Sequence, residues 1–116
     1  MSDTIQILNK LMDSCALRQR VIAGNLANIN TPGYTRREVE FQKVLSEAIR
    51  SGNDDKVAEA APKVVLDQSG PYRRDGNNVS VQTEMEVMSD NSLLYNLATT
   101  AISRKYAGLH KAIGGK

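Results

Sequence analysis

The chain has no tryptophan, one phenylalanine (Phe41), one cysteine (Cys15) and one histidine (His110) in 116 residues. Each scarcity removes a class of structure or chemistry. Large aromatics usually dominate core burial, so a compact globule would have to rest on Leu, Ile, Val and Met. Those residues gather toward the two ends of the chain. A lone cysteine excludes an intramolecular disulfide and a thiolate metal cluster. Cys15 lies on an apolar helical stripe and reads as a small buried hydrophobe. Fifteen basic residues against thirteen acidic ones give a net charge of +2, too balanced for the basic face that nucleic acid would require. The pairs Arg36-Arg37 and Arg73-Arg74 read as solvated loop charges. No apolar run is long enough to span a bilayer. Met1 to Gln6 lacks the basic start and continuous apolar core of a secretory signal, so any export is expected to proceed without a cleaved one.

What is present is a pair of mirrored ends. From about Thr4 to Asn28, Ile5, Leu8, Met12, Cys15, Ile22, Leu26 and Ile29 recur in alternating three- and four-residue steps, interrupted by Gln19 and widened by Leu11 and Val21. This is a helix seam of the coiled-coil kind. Ser2, Asp3 and Thr4 are candidate N-caps. The residue before Pro32 is pushed out of the helical region, and Pro32-Gly33 fits the centre of a type II turn. From about Thr83 to Ile113, Met85, Met88, Tyr95, Ile102, Tyr106, Leu109 and Ile113 keep the same step, with Ser92 and Thr99 filling the seam. Thr83 with Glu86 suggests a capping box, and Gly114-Gly115 a stop. Glu84 and Glu86 suit the start of a helix and Arg104, Lys105 and Lys111 its end. The two helices are expected to pair antiparallel, leaving Leu11, Val21, Leu94 and Leu97 as flanks for other subunits.

The middle, from about Thr35 to Ser80, is less legible. Val39, Phe41, Val44, Leu45, Ala48 and Ile49 fit a short strand or a helix of a few turns. The stretch after Arg50 reads as a loop or disordered linker, Lys63–Leu66 as a possible short strand, and Asp75-Gly76-Asn77-Asn78 as a turn. The expected fold is all-α: paired long terminal helices, a coiled-coil-like hairpin, around a flexible, partly extended or short-β middle. The expected units are residues 1–34, 35–80 and 81–116.

No chemistry emerges from these residues. A Cys15–His110 nucleophile lacks an oxyanion turn and places its thiol inside a helical seam. The carboxylate pairs Asp54-Asp55 and Glu84/Glu86 are explained by solvation and helix starts, and Asp75–Asn78 lacks the ligand spacing of a calcium loop. The chain is not expected to be an enzyme, and no cofactor or metal is expected. Asn25 and Asn28, one turn apart near a helix end, need a reason. They either satisfy the last turn's carbonyls or fix the chain's exit and hydrogen-bond a neighbouring subunit.

The run Ala23-Gly24-Asn25-Leu26-Ala27-Asn28-Ile29-Asn30-Thr31-Pro32-Gly33-Tyr34 resembles the N-terminal signature of the bacterial flagellar rod and hook proteins. Gly24 stands where that family usually has Ser or another small residue. Asp75 to Met85, followed by Asn91-Ser92-Leu93-Leu94-Tyr95, is similar to the short proximal rod members. The resemblance spans residues 5–50 and 70–114. It implies a structural subunit of the basal-body rod, a hollow shaft that crosses the periplasm, transmits torque and surrounds the export channel. It implies delivery through the flagellar type III export apparatus. Implied partners are copies of the chain, other rod proteins, and the proteins at the junction of the MS ring and the export gate. Ile5, Leu8, Met12, Ile22, Leu26, Ile102, Tyr106 and Leu109 would form the inner helical layer. Asn25, Asn28, Thr31, Pro32, Gly33 and Tyr34 would set the outward turn. A helical adaptor or export chaperone is the alternative from another class.

Overall fold

A computed structural model describes residues 2–114, with side chains from Thr4 onward. Helix α1 (Ser2–Ala27) is followed by strand β1 (Arg37–Glu40), helices α2 (Gln42–Arg50) and α3 (Asp54–Glu59), strand β2 (Lys63–Leu66) and helix α4 (Val81–Gly114). The molecule is a narrow slab of 64 × 28 × 15 Å. Thr4 lies inside α1 rather than ahead of it and is not its N-cap, and the side chains of Ser2 and Asp3 lie outside the described residues. At 1.5 Å per residue, α4 is roughly 51 Å long. Gly114 is its last helical residue; Gly115 lies outside the described residues.

The two long helices run antiparallel. The Asn25 amide meets Glu84, and the Asn91 amide donates to the Cys15 carbonyl at 2.9 Å. Toward the other end, Thr4 and Leu8 share a groove with Leu97, Ala101 and Arg104. The line of α4 that sinks deepest against α1 is Glu84, Asn91 and Ala98. Of the apolar stripe expected from the sequence, Met88, Ile102 and Leu109 are half-buried flanks. Met85, Tyr95, Tyr106 and Ile113 remain 52%, 41%, 53% and 84% exposed. The packed face is therefore rotated by roughly 50°, about half a residue step, from the most hydrophobic one. Its central residues are small or polar: Glu84 takes Asn25 and Arg36, while the Asn91 amide nitrogen takes the Cys15 carbonyl and its buried oxygen has no partner among the described residues.

The capping box expected at Thr83/Glu86 is not formed. Helix α4 starts three residues earlier, on Ser80, whose carbonyl accepts the Glu84 N–H at 3.0 Å and whose hydroxyl faces the Thr83 N–H at 3.4 Å. Glu84 is thereby placed a turn inside the helix, on its buried side.

The middle segment holds most of the apolar core. Val39 and Phe41 from β1 and its exit cluster with Leu45 and Ala48 of α2 and Val57 and Ala60 of and after α3. Ile7, Leu11, Leu17 and Val21 of α1 pack on this cluster. Leu11 and Val21 are thus occupied within the chain and are not free flanks. Leu94 is half-buried, and Leu97 alone of the four expected flanks is exposed, at 60%. The two readings of residues 39–49 are both realised in part: the alternation of Arg37–Glu40 makes a strand, and the following residues make a helix. The stretch after Arg50 is not a linker. Asn53 caps α3 by accepting the Asp55 N–H at 2.9 Å, and the short helix buries Val57. Strand β2 pairs antiparallel with β1, Arg37 opposite Leu66 and Glu40 opposite Lys63. The chain is thus mainly helical with a two-stranded sheet in the middle. Lys10 and Arg18 tie α1 to this unit through the Ala60 and Val39 carbonyls.

Candidate functional site

The site is the doorway through which the middle segment leaves α1 and returns to α4. Helix α1 closes with the Asn28 N–H shared between the Gly24 and Asn25 carbonyls. Asn28 folds its own amide back onto the Gly24 carbonyl at 2.8 Å and accepts the Thr31 hydroxyl. The Tyr34 N–H then closes on the Thr31 carbonyl around Pro32-Gly33, with Gly33 at φ +74°. This is a type II turn, and Gly supplies the positive φ at its third position.

A second turn clasps the first. Asp75-Gly76 turns with Gly76 at φ +81°. The Gly33 N–H donates to the Asp75 carbonyl at 2.8 Å, and a Cβ on Gly76 would lie 3.3 Å from the Gly33 Cα. Asn77 is fully buried. Its amide donates to both the Asn28 and Thr31 carbonyls at 2.8 Å, and its oxygen accepts the Val79 N–H. Arg73 donates to the Ile29 and Val79 carbonyls. Asn78 accepts the Arg36 N–H at 2.6 Å and donates to the Asp67 carbonyl at 2.7 Å. The turn after α1 is therefore half of a structure whose other half lies more than forty residues later.

Asn25 stands at the centre, fully buried. Its amide nitrogen donates to the Arg37 carbonyl at 2.8 Å and to Glu84 Oε1 at 3.0 Å. Its oxygen accepts the Arg37 N–H at 2.9 Å and the Tyr34 hydroxyl at 3.1 Å. It thus grips both backbone groups of Arg37, as a neighbouring strand residue would. All four hydrogen-bonding positions of the side chain are filled from within the chain, which removes Asn25 as a direct contact to a neighbour.

Arg36 and Arg37 diverge. Arg37 is exposed, with its guanidinium 5.0 Å from the Tyr34 ring centre. Arg36 is 4% exposed, which corrects the reading of the pair as solvated charges. Its Nε and one terminal nitrogen hold Glu84 at 2.7 and 3.2 Å, while the other terminal nitrogen reaches Asp67 at 2.6 Å and Glu38 at 2.9 Å. Burial works against its charge, but the hydrogen bonds it donates to Glu84, Glu38 and Asp67 outweigh it and raise its pKa above the ordinary value. Glu84 is fully buried, so it is a structural counter-ion rather than a solvated helix-start charge. Asp67 is held below the usual carboxylate value by hydrogen bonds from the Ser69 hydroxyl and N–H, with Arg36 adding to the effect. Burial pushes the Cys15 thiol upward. One cation thus knits β1, the residue after β2 and the start of α4, and Glu84 carries the tie on to Asn25 of α1.

Among the described residues, no group of three or more His, Cys, Asp or Glu could hold a metal. Cys15 sits level with Asn91, while His110 lies roughly 28 Å farther along α4, so the two form no catalytic pair. No described helix is long and apolar enough to cross a membrane. Of the expected inner-layer residues, Ile22 is buried, Ile5, Leu8, Met12, Leu26, Ile102 and Leu109 are half-buried, and Tyr106 is exposed. The sequence reading missed Arg36, Glu84, Asp67 and the clasping role of Asn77 and Asn78. The last two were visible only as a turn signal, and nothing local marks the first three as partners.

The family described as flagella basal body rod protein has a sequence model that matches residues 15–35, the C-terminal half of α1 and the turn behind it. The chain is 31% identical to the flagellar basal body rod protein FlgB of Bacillus subtilis over 99% of this chain and 97% of that one. The chain belongs to the FlgB family of flagellar basal body rod proteins. The FlgB proteins of Borrelia hermsii, 28% identical over 95% of each chain, and of Escherichia coli, 31% identical over 81% of this chain and 80% of that one, are further relatives. The matched stretch of the family model contains Asn25, Asn28 and the Thr31–Tyr34 turn, and stops just before Arg36.

Proposed function

We propose that this chain is a structural subunit of the proximal part of the flagellar rod. It assembles through residues 1–34 and 81–116, with residues 35–80 outside the helical layer. The observation that carries this reading is the outer face of α4, where Met85, Tyr95, Tyr106 and Ile113 stand exposed on the helix's own apolar stripe. A stripe of that length calls for a helical partner that the chain does not itself supply. In this reading Ile5, Leu8, Met12, Ile22, Leu26, Ile102, Tyr106 and Leu109 build the helical layer by coiled-coil-like pairing. Asn25, Asn28, Thr31, Pro32, Gly33 and Tyr34 aim the chain outward, Asn25 acting from inside the fold. Copies of the chain, other rod proteins and the proteins at the MS-ring and export-gate junction are its neighbours. The subunit reaches the periplasmic rod through the flagellar type III export apparatus, without a cleaved signal peptide, and works without enzymatic activity or a cofactor.

Mass spectrometry of purified hook–basal bodies, with a gene deletion scored for motility, tests the reading. A subunit present in basal bodies and a deletion strain without hooks or motility are expected. Absence from basal bodies in a strain that still needs the gene to build them would indicate a helical adaptor or export chaperone instead.

A further inference from the structure

The two edges of the small sheet differ. The Asp67 N–H bonds the Arg36 carbonyl, which sets the parity of the ladder: Glu38 with Val65 and Glu40 with Lys63 are the hydrogen-bonded pairs. The backbone groups of Arg37 and Val39 therefore point away from β2, and α1 meets them there. Asn25 takes both groups of Arg37, and Arg18 takes the Val39 carbonyl. On the opposite side, the N–H and C=O groups of Val64 and Leu66 point outward from β2, and nothing among the described residues takes them. Their side chains lie opposite Val39 and Arg37, on the face of the sheet that carries the buried Val39. They nevertheless stand outside the core cluster, 47% and 55% exposed. Strand β2 thus overhangs the core with an open edge and an apolar underside, which is a template for a further strand.

We propose that the open edge of β2 pairs with the same edge of a second copy, antiparallel about a two-fold axis through Val65. In this register Val64 faces the partner's Leu66 and exchanges both backbone bonds with it, and the two apolar undersides merge. Lys63, which makes no ion pair among the described residues although Glu40 stands opposite it, falls beside the partner's Asp67. Asp67 is one of three carboxylates held by the single guanidinium of Arg36, so a second cation compensates charge that the chain alone leaves in excess. Moving the axis by one residue loses the match. About Val64, Leu66 would face Pro62, which has no N–H to give; about Leu66, Val64 would face Gln68. The pair also closes on itself. Each outer edge of the resulting four-stranded sheet is a β1 already covered by Asn25 and Arg18, so no third copy can add. The proposal concerns the free subunit and does not rest on the rod reading.

The test uses the purified full chain in a Cys15→Ser background. Position 65 meets its own copy across the axis as a non-hydrogen-bonded pair, with Cα atoms about 4.5 Å apart, within reach of a disulfide. Positions 64 and 66 each meet the other, not themselves. Val65→Cys is therefore expected to oxidise to a disulfide dimer, and Val64→Cys and Leu66→Cys to stay largely monomeric. No dimer from Val65→Cys, or equal yields from all three, would overturn the pairing. Sedimentation supplies a second readout. Only short strands meet, so the dimer is expected to be weak and its fraction to grow with concentration. Val64→Pro deletes an outward N–H while sparing the ladder to β1, and Lys63→Asp sets two carboxylates face to face at each end of the pair. Each should weaken the dimer roughly fivefold or more, with the circular dichroism spectrum unchanged. A chain that sediments as a monomer throughout, or runs on to trimers and larger species, would overturn the proposal, as would a dimer that Lys63→Asp leaves at full strength.

Discussion

Replacing Arg36 by methionine removes the cation that neutralises the doorway while leaving its carboxylates in place. Glu84 is fully buried and would face no positive charge, keeping only the Asn25 amide at 3.0 Å. Asp67 and Glu38 have side chains 25% and 32% exposed, so water can take over part of their solvation. Breaking a buried ion pair by deleting one partner costs about 3–5 kcal/mol, a large share of a total stability of about 5–15 kcal/mol. At roughly 4 °C per kcal/mol for a domain of this size, Arg36→Met should lower Tm by ~12–20 °C. Thermal unfolding of the purified full chain, followed by circular dichroism, reads this directly. The double variant Arg36→Met/Glu84→Leu is the control: with both charges gone, most of the loss should return, because an apolar pair of similar volume often matches a buried ion pair. A single-variant loss below ~1 kcal/mol, the scale of a surface ion pair, would refute the reasoning. So would a double variant no more stable than the single.

Three further outcomes follow from the same geometry. Gly76→Ala should cost about 1–2 kcal/mol for its left-handed backbone and more for the 3.3 Å approach to Gly33; Gly33→Ala, with open space around its Cβ, should cost less, and equal urea midpoints would deny the clasp. Asp67 has a folded pKa below its ordinary 3.8, so its contribution is present above that value and lost as pH falls through the folded pKa; Asp67→Asn should flatten the loss of stability below about pH 4, and unchanged acid limbs would count against it. Cys15 is buried with its thiol pKa raised, so a thiol reagent should react slowly with the folded chain and rapidly in denaturant, and Cys15→Ser should leave motility intact.

The two long helices were legible because amphipathic stripes of this length have few other interpretations, and the turn at Pro32-Gly33 because only a small set of residues fits its backbone. The packed side of α4 was not. Hydrophobicity pointed to Met85, Tyr95 and Tyr106, whereas Glu84 is buried against Arg36 and Asn25, and Asn91 through the bond of its amide nitrogen to the Cys15 carbonyl. Those partners lie 48, 59 and 76 residues away in sequence, beyond the reach of any periodicity. The same long range hid the clasp. The Asp75–Asn78 turn was recognisable by itself, but nothing local says that Asn77 binds the carbonyls of Asn28 and Thr31. In the middle, segments of four to nine residues are too short for a period to separate strand from helix, and the fold uses both.

The clasp also has a topological consequence. The Asn78 N–H donates to the Tyr34 carbonyl at 3.3 Å, so the middle segment departs and returns at a single point. Everything between these residues is an excursion whose ends are already held together. Lengthening such a loop costs little, about 0.6 kcal/mol for each doubling. A chain built this way tolerates an insertion at an exposed turn of the excursion, such as Ser51-Gly52, while the clasp and the long helices keep their places. The doorway thus separates a helical frame from a loop whose ends it holds, into which residues can be inserted at small entropic cost.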